Sequence, residues 1–210
     1  MRLCVRLQVF EEKYLEGQTM NTLDAIAARR SIRKFKDAAM EEEKLQAILL
    51  AATQAPSGKN RQPWRFVVVK GDKRAEMVRI MKEGIANSKS RGDDTGSSER
   101  TVKVMERAPA TVFIFNPLGL RPWQFHSTGQ MFDDVVDIQS IGASIQNMLL
   151  AAQDLGIGSL WICDIFNAYE ELCVWLGGQG EMIAAVALGY ADEAPAARPR
   201  KPVGEVARVM

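Results

Sequence analysis

An α+β domain, a sheet with helices on its faces, is the fold class this sequence predicts. Four short runs rich in β-branched and aromatic residues, 64–70, 110–116, 159–164 and 182–190, have the length and composition of buried strands. The segments between them carry apolar residues at helical spacing. With 210 residues, 47% of them apolar, and no internal repeat, the chain suits one domain with a substantial core.

Residues 2–10 alternate Leu3, Val5, Leu7 and Val9 with more polar neighbours, a short-strand pattern, and a helical turn ending at Gly17 follows. Met20 offers an alternative start, which would make 1–21 an N-terminal extension of a domain over 22–210. Thr22 can cap a helix with Leu23, Ile26 and Ala27 on one face. Asp37 precedes a stronger helix bearing Leu45, Ile48, Leu49 and Ala52, stopped near Pro56. After the first buried strand comes a helix with Met77, Ile80 and Met81, then a polar, Gly/Ser-rich stretch, 87–100, that reads as a mobile loop. Residues 117–130 are irregular yet aromatic, the composition of a lid or binding loop. From Asp134 to Leu155 runs the longest helix, apolar over much of its girth and therefore central, ending at Gly156. A short helix over 167–176 and an extended tail with Pro195, Pro199 and Pro202 complete the pattern.

Charge narrows the function. The 27 Lys+Arg against 26 Asp+Glu leave a net charge of +1, which argues against nucleic-acid and membrane-surface binding. No apolar run is long enough to cross a bilayer, and the N-terminus reads as no signal peptide. Cys4, Cys163 and Cys173 form no disulfide or zinc pattern, so a cytoplasmic protein without a metal site is expected. His126 is the only histidine, and no Gly-rich phosphate loop, HExxH or GxSxG signature is present.

Three stretches remain that could hold a cofactor. "RRSIRKF" (29–35) crowds Arg29, Arg30, Arg33 and Lys34 around Ser31, groups suited to phosphate oxygens. "APSGKNRQPW" (55–64) places a tight turn and the amides of Asn60 and Gln62 just before a strand. "RPRKP" (198–202) adds Arg198, Arg200 and Lys201 at the far end of the chain. Taken singly, each arginine reads more readily as a structural, solvated helix end than as a ligand.

With "SIGASIQNMLLAAQDLGIGSLWI" and "ALGYADEAPAARPRKPVGEV", these stretches resemble, in order and spacing, the nitroreductase family of FMN-dependent oxidoreductases, from about Thr22 to Arg208. The resemblance implies a central, mainly antiparallel sheet flanked by helices and a homodimer with FMN at its interface. It places Arg29, Arg30, Ser31 and Arg33 at the flavin phosphate, with Arg200 and Arg198 closing from the tail. Pro56, Ser57 and Asn60 would touch the isoalloxazine from the partner subunit, and the backbone of Ile162 and Cys163 would face its N5 edge. Hydride would pass from NADH or NADPH through N5 to a nitroaromatic, quinone or similar small-molecule acceptor by a ping-pong cycle, with no protein nucleophile. Trp123 and Phe125 are candidates for the substrate lid; packing of their loop onto the core reads equally well. A dehalogenase or flavin-cleaving branch of the same fold, and a non-catalytic flavin-binding or redox-sensing protein, stay open as alternatives.

Overall fold

Four strands, β1 (Arg65–Lys70), β2 (Ala110–Asn116), β3 (Gly158–Ile162) and β4 (Glu181–Gly189), form one antiparallel sheet in the order β1-β2-β4-β3. The computed structural model describes residues 20–178 and 180–210. The strand and turn expected within residues 2–17 lie outside them. Helices α1 (Thr22–Ala28), α2 (Glu42–Thr53), α3 (Lys73–Ser90), α4 (Ser98–Arg107), α5 (Thr128–Asp154), α6 (Tyr169–Trp175) and α7 (Val203–Val206) complete the fold.

Period-two alternation divides the sheet between two cores. On one face Val112, Ile114, Ala184, Val186 and Leu188 meet Leu45 and Ile48 of α2 and Ile141, Ile145 and Met148 of α5. On the other, Phe113, Phe115, Leu160, Ile162 and Ala185 meet Met77 and Met81 of α3, Val102 and Met105 of α4, and Leu172 of α6. Helices cover both faces, so β2 is buried along its whole length, which is why it reads as an unbroken apolar run. Where Phe115 pairs with Met182 and Ile114 with Ala184, Ile183 is left over as a bulge.

Several expected boundaries move, each for a local reason. Asn21, not Thr22, caps α1, its side chain accepting from Asp24 N at 3.0 Å. The face of α1 expected to pack is turned to solvent: Leu23 is 76% exposed, and only Ala25 is buried. Glu41 precedes α2, four residues beyond Asp37. The loop expected over 87–100 shrinks to 91–97, since α3 runs to Ser90 and α4 begins at Ser98. Its charged residues stay exposed, while Ser88, Thr95 and Ser98 are buried and several hydroxyls in and beside it bond internally. Ser97 donates to the Asp164 carboxylate at 2.6 Å, Thr101 donates to the same oxygen, and Ser98 donates to Thr95 O at 2.7 Å. A capping box between Ser127 and Gln130 starts α5 six residues before Asp134, shortening the aromatic loop to 117–127.

That loop closes over a buried polar pair at the end of the sheet. Asn116 and Glu181 are paired across β2 and β4, and Asn116 Nδ2 and Glu181 Oε2 find no hydrogen-bond partner. Gly119 passes so close that a Cβ there would meet Asn116 Nδ2 at 2.6 Å and Glu181 Oε2 at 2.7 Å. Burial, then the neighbouring Asp134 charge, push the Glu181 carboxyl from its usual 4.5 up to about 7, against an opposing pull from His126. A carboxyl raised in this way binds more protons folded than unfolded, so its contribution to stability is fully present below the unfolded value and is lost as pH rises between the two values. The loss should be on the order of 3 kcal/mol. Denaturant unfolding at about pH 5 and about pH 8 should therefore show a smaller pH-dependent loss for Glu181→Gln than for the parent chain. Equal losses would contradict the assignment.

Candidate functional site

The segment after α1 crosses the end of the sheet as a strap. Ile32 N donates to Ser159 O at 2.9 Å, Lys36 N donates to Tyr190 O at 2.9 Å, and Asp192 N returns a bond to Lys34 O at 2.9 Å. Ser31 and Phe35 bridge to Ser159 and Ala191. Glu193 accepts the backbone N–H groups of Arg33 and Lys34. Ile32 and Phe35 are buried in the core, which leaves Arg29, Arg30 and Arg33 to the outer side.

There the chain beyond β4 folds back, and Arg29, Arg30, Ser31, Arg33, Arg198 and Arg200 line one cleft of about 380 Å³. Among the described residues, none of the five guanidinium groups has a carboxylate partner. Their hydrogen bonds run to backbone carbonyls: Arg30 to Ala27 O and Arg29 O, Arg33 to Ser31 O, and Arg200 to Arg198 O and Pro199 O. Burial lowers the pKa of Arg29, and the charges of Arg200 and Arg30 lower it further. Like charges drawn from both ends of the chain thus converge without a counter-ion.

The 55–64 turn does not line that cleft; it lies against α5. Lys59, Asn60 and Gln62 all hold left-handed backbone, with φ of 52°, 54° and 49°. Asn60 N donates to Ser57 O at 3.0 Å and Gln62 N to Ser57 Oγ at 3.0 Å. Gly58 N donates to Ser140 Oγ at 3.3 Å, while Arg61 reaches Asp137 at 3.0 Å and Asp133 at 3.2 Å. Pro56 and Asn60 are exposed and Ser57 is half-buried, so the turn presents polar groups outward.

A family model described as the nitroreductase family matches residues 26–190. The chain belongs to the nitroreductase family. A protein of Archaeoglobus fulgidus, provisionally named NADH dehydrogenase/NAD(P)H nitroreductase, is 31% identical over 140 residues, 67% of this chain and 66% of its own length, just under two thirds. An NADPH-flavin oxidoreductase of Vibrio harveyi is 27% identical over 191 residues, 87% of this chain and 70% of that protein. A nitroreductase with bound FMN from Desulfitobacterium hafniense shares the fold with a TM-score of 0.67 at 30% identity, over 91% of this chain and 99% of that chain.

Within this nitroreductase fold the other expected site residues sit apart from the arginines. Ile162 ends β3 with its side chain in the core, so only its backbone faces outward chemistry. Cys163 is exposed; partial burial, then Asp164, hold its thiol above the usual range. Trp123 packs edge-on against Tyr169 at 4.9 Å between ring centroids, whereas Phe125 is 89% exposed. Arg61, Asp137 and Ser140 were missed by the sequence reading. Asp137 and Ser140 have a signal in a polar series at spacings of three and four along α5, whereas Arg61, in the turn, has none.

Packing of the turn on α5 can be tested at Gly58, where an added Cβ would stand 2.5 Å from Val136 Cγ1. Gly58→Ala should destabilise the protein by about 1–3 kcal/mol. Val136→Ala in the same chain should restore most of the loss in a denaturant titration. An unchanged Gly58→Ala midpoint would show that the turn does not rest there.

Proposed function

We propose that the chain is an NAD(P)H-dependent oxidoreductase that holds one FMN per subunit of a homodimer and reduces small oxidised acceptors such as nitroaromatics or quinones by a ping-pong cycle. The observation that carries this reading is the cleft of five arginines with no carboxylate partner among the described residues. A phosphate dianion fits it: it offers acceptors to the guanidinium forks and relieves the repulsion felt by Arg29. The family match, and relatives named for NADPH-flavin oxidoreduction and for bound FMN, support the same choice.

When bound, FMN supplies the centre that takes hydride from NAD(P)H and passes it on. The chain's own residues bind and orient. Arg29, Arg30, Arg33, Arg198 and Arg200 neutralise the phosphate, and Ser31 offers a hydroxyl to it. Ser159, which pairs with Ser31, is three residues from Ile162, about 10 Å along the strand, the scale of an extended ribityl chain. That spacing suits phosphate at one end of β3 and the ring edge near the backbone of Ile162 and Cys163 at the other. Pro56, Ser57 and Asn60 would approach the ring from the partner subunit. Trp123 and Phe125 are assigned to the cover over the acceptor.

Exposed apolar side chains support the dimer. Leu23 and Ile26 on α1, Met131, Phe132 and Val135 on α5, and Val203 and Val206 in the tail all face solvent in the single chain. Joined into one face, these side chains would give a second copy of the chain an apolar surface to cover. A cytoplasmic setting is also proposed, from the unpaired Cys163 and Cys173.

Two measurements test this function. Arg200→Ala should weaken FMN roughly tenfold to a hundredfold and leave riboflavin, which lacks the phosphate, nearly unchanged. Equal losses for both flavins would remove Arg200 from the phosphate site. Under anaerobic conditions NADH or NADPH should bleach the visible absorbance of the bound flavin, and quinone should restore it. A flavin that neither nicotinamide reduces would make the protein a binder and not an oxidoreductase.

A further inference from the structure

One stripe of α5 is polar and faces the chain between α2 and β1. Asp133, Asp137, Ser140, Ser144 and Asn147 follow one another at spacings of three or four and share a face. Ser144 Oγ donates to Ala52 O at 2.8 Å and Asn147 Nδ2 to Ala51 O at 3.3 Å, satisfying carbonyls in the last turn of α2. Ser140 Oγ takes the Gly58 N–H, and the two aspartates take Arg61. The whole segment from Ala51 to Arg61 is therefore registered against a single helix.

Capping of α2 accounts for Ser144 and Asn147 but not for Arg61 and Asp137. Among the described residues the Asp137 side chain, only 1% exposed, has Arg61 as its one cationic partner, and its Oδ1 has no hydrogen-bond partner. An apolar residue would fill that position without the desolvation of a carboxylate, so the pair is a poor device for stability alone. What it does hold is a backbone that disfavours itself. Arg61 lies between left-handed Asn60 and left-handed Gln62, in a stretch where Lys59 is left-handed too, and none of the three is glycine. Backbone kept in sparsely populated regions persists only where its surroundings over-determine it, and such segments gather at ligand clamps.

We propose that Arg61 and Asp137 are a positioning pair, anchoring the Ser57–Gln62 turn to α5 so that its polar groups meet the flavin ring at a fixed height and angle. This rests on the reading that the turn touches the ring. The pair touches no reacting atom; it acts through the turn. Its effect belongs to the ring and not to the phosphate, which separates it from the arginine cleft.

Apo-protein carrying Asp137→Asn, close in shape, or Arg61→Ala is titrated with FMN and with riboflavin, and the reduction potential of the FMN-loaded form is measured. Each variant should weaken both flavins by the same factor, roughly fivefold to tenfold, as expected for the loss of about one good hydrogen bond. The bound-flavin potential should move away from that of the parent protein, and Arg61→Lys should recover part of both effects. A purely structural pair would lower the unfolding midpoint while leaving both affinities and the potential unchanged, and that result overturns the proposal. A loss confined to FMN would place the pair at the phosphate and overturn it equally. Should the parent protein itself bind neither flavin, the underlying flavin assignment fails, an outcome distinct from either.

Discussion

Burial of Ile32 and Phe35 at the end of the sheet is the constraint on which the site depends. Those two apolar side chains enter the core while the intervening backbone bonds to β3 and to the turn after β4. The residues around them, Arg29, Arg30, Arg33, Lys34 and Lys36, are then left on the outer side. The chain beyond β4 is fixed to the same strap through Asp192 and Glu193, so Arg198 and Arg200 arrive beside Arg29 although the two stretches are nearly a chain length apart. Like charges do not gather unaided. Hydrophobic burial and backbone hydrogen bonds hold them together, and the repulsion left over is what an anion relieves.

A second organising element is α5. Its C-terminal half buries Ile141, Ile145, Met148 and Leu149 against the sheet, as its apolar sequence requires. Its N-terminal half leaves Met131, Phe132 and Val135 to solvent and carries the aspartates that hold the 55–64 turn. One helix thus links the core to the turn, and a change on its polar stripe is felt first by the groups the turn presents.

The sheet was readable in advance because both faces are covered, so its central strands lack polar alternation and stand out as runs such as "ATVFIFN". The arginine cleft was readable too, since its residues lie in two short basic clusters. Helix α4 was not. Its serines and threonine imitate loop composition, and the partner that satisfies two of them, Asp164, is more than sixty residues away. Leu23 and Ile26 have core-like spacing, yet both are exposed among the described residues, a fact that periodicity cannot carry. The Arg61–Asp137 pair escaped for a similar reason, since two charges far apart in sequence give no local sign that one is buried beneath the other.

The central claim is that the strap and the tail together build a binding site for the phosphate of FMN. Releasing the cofactor of the purified protein by heat and weighing it by mass spectrometry tests this most directly. The account predicts FMN, close to one per chain, because the converging guanidinium groups suit a doubly charged terminal phosphate. Recovery of FAD, or of no flavin from a protein that also fails to take up added FMN, would contradict it.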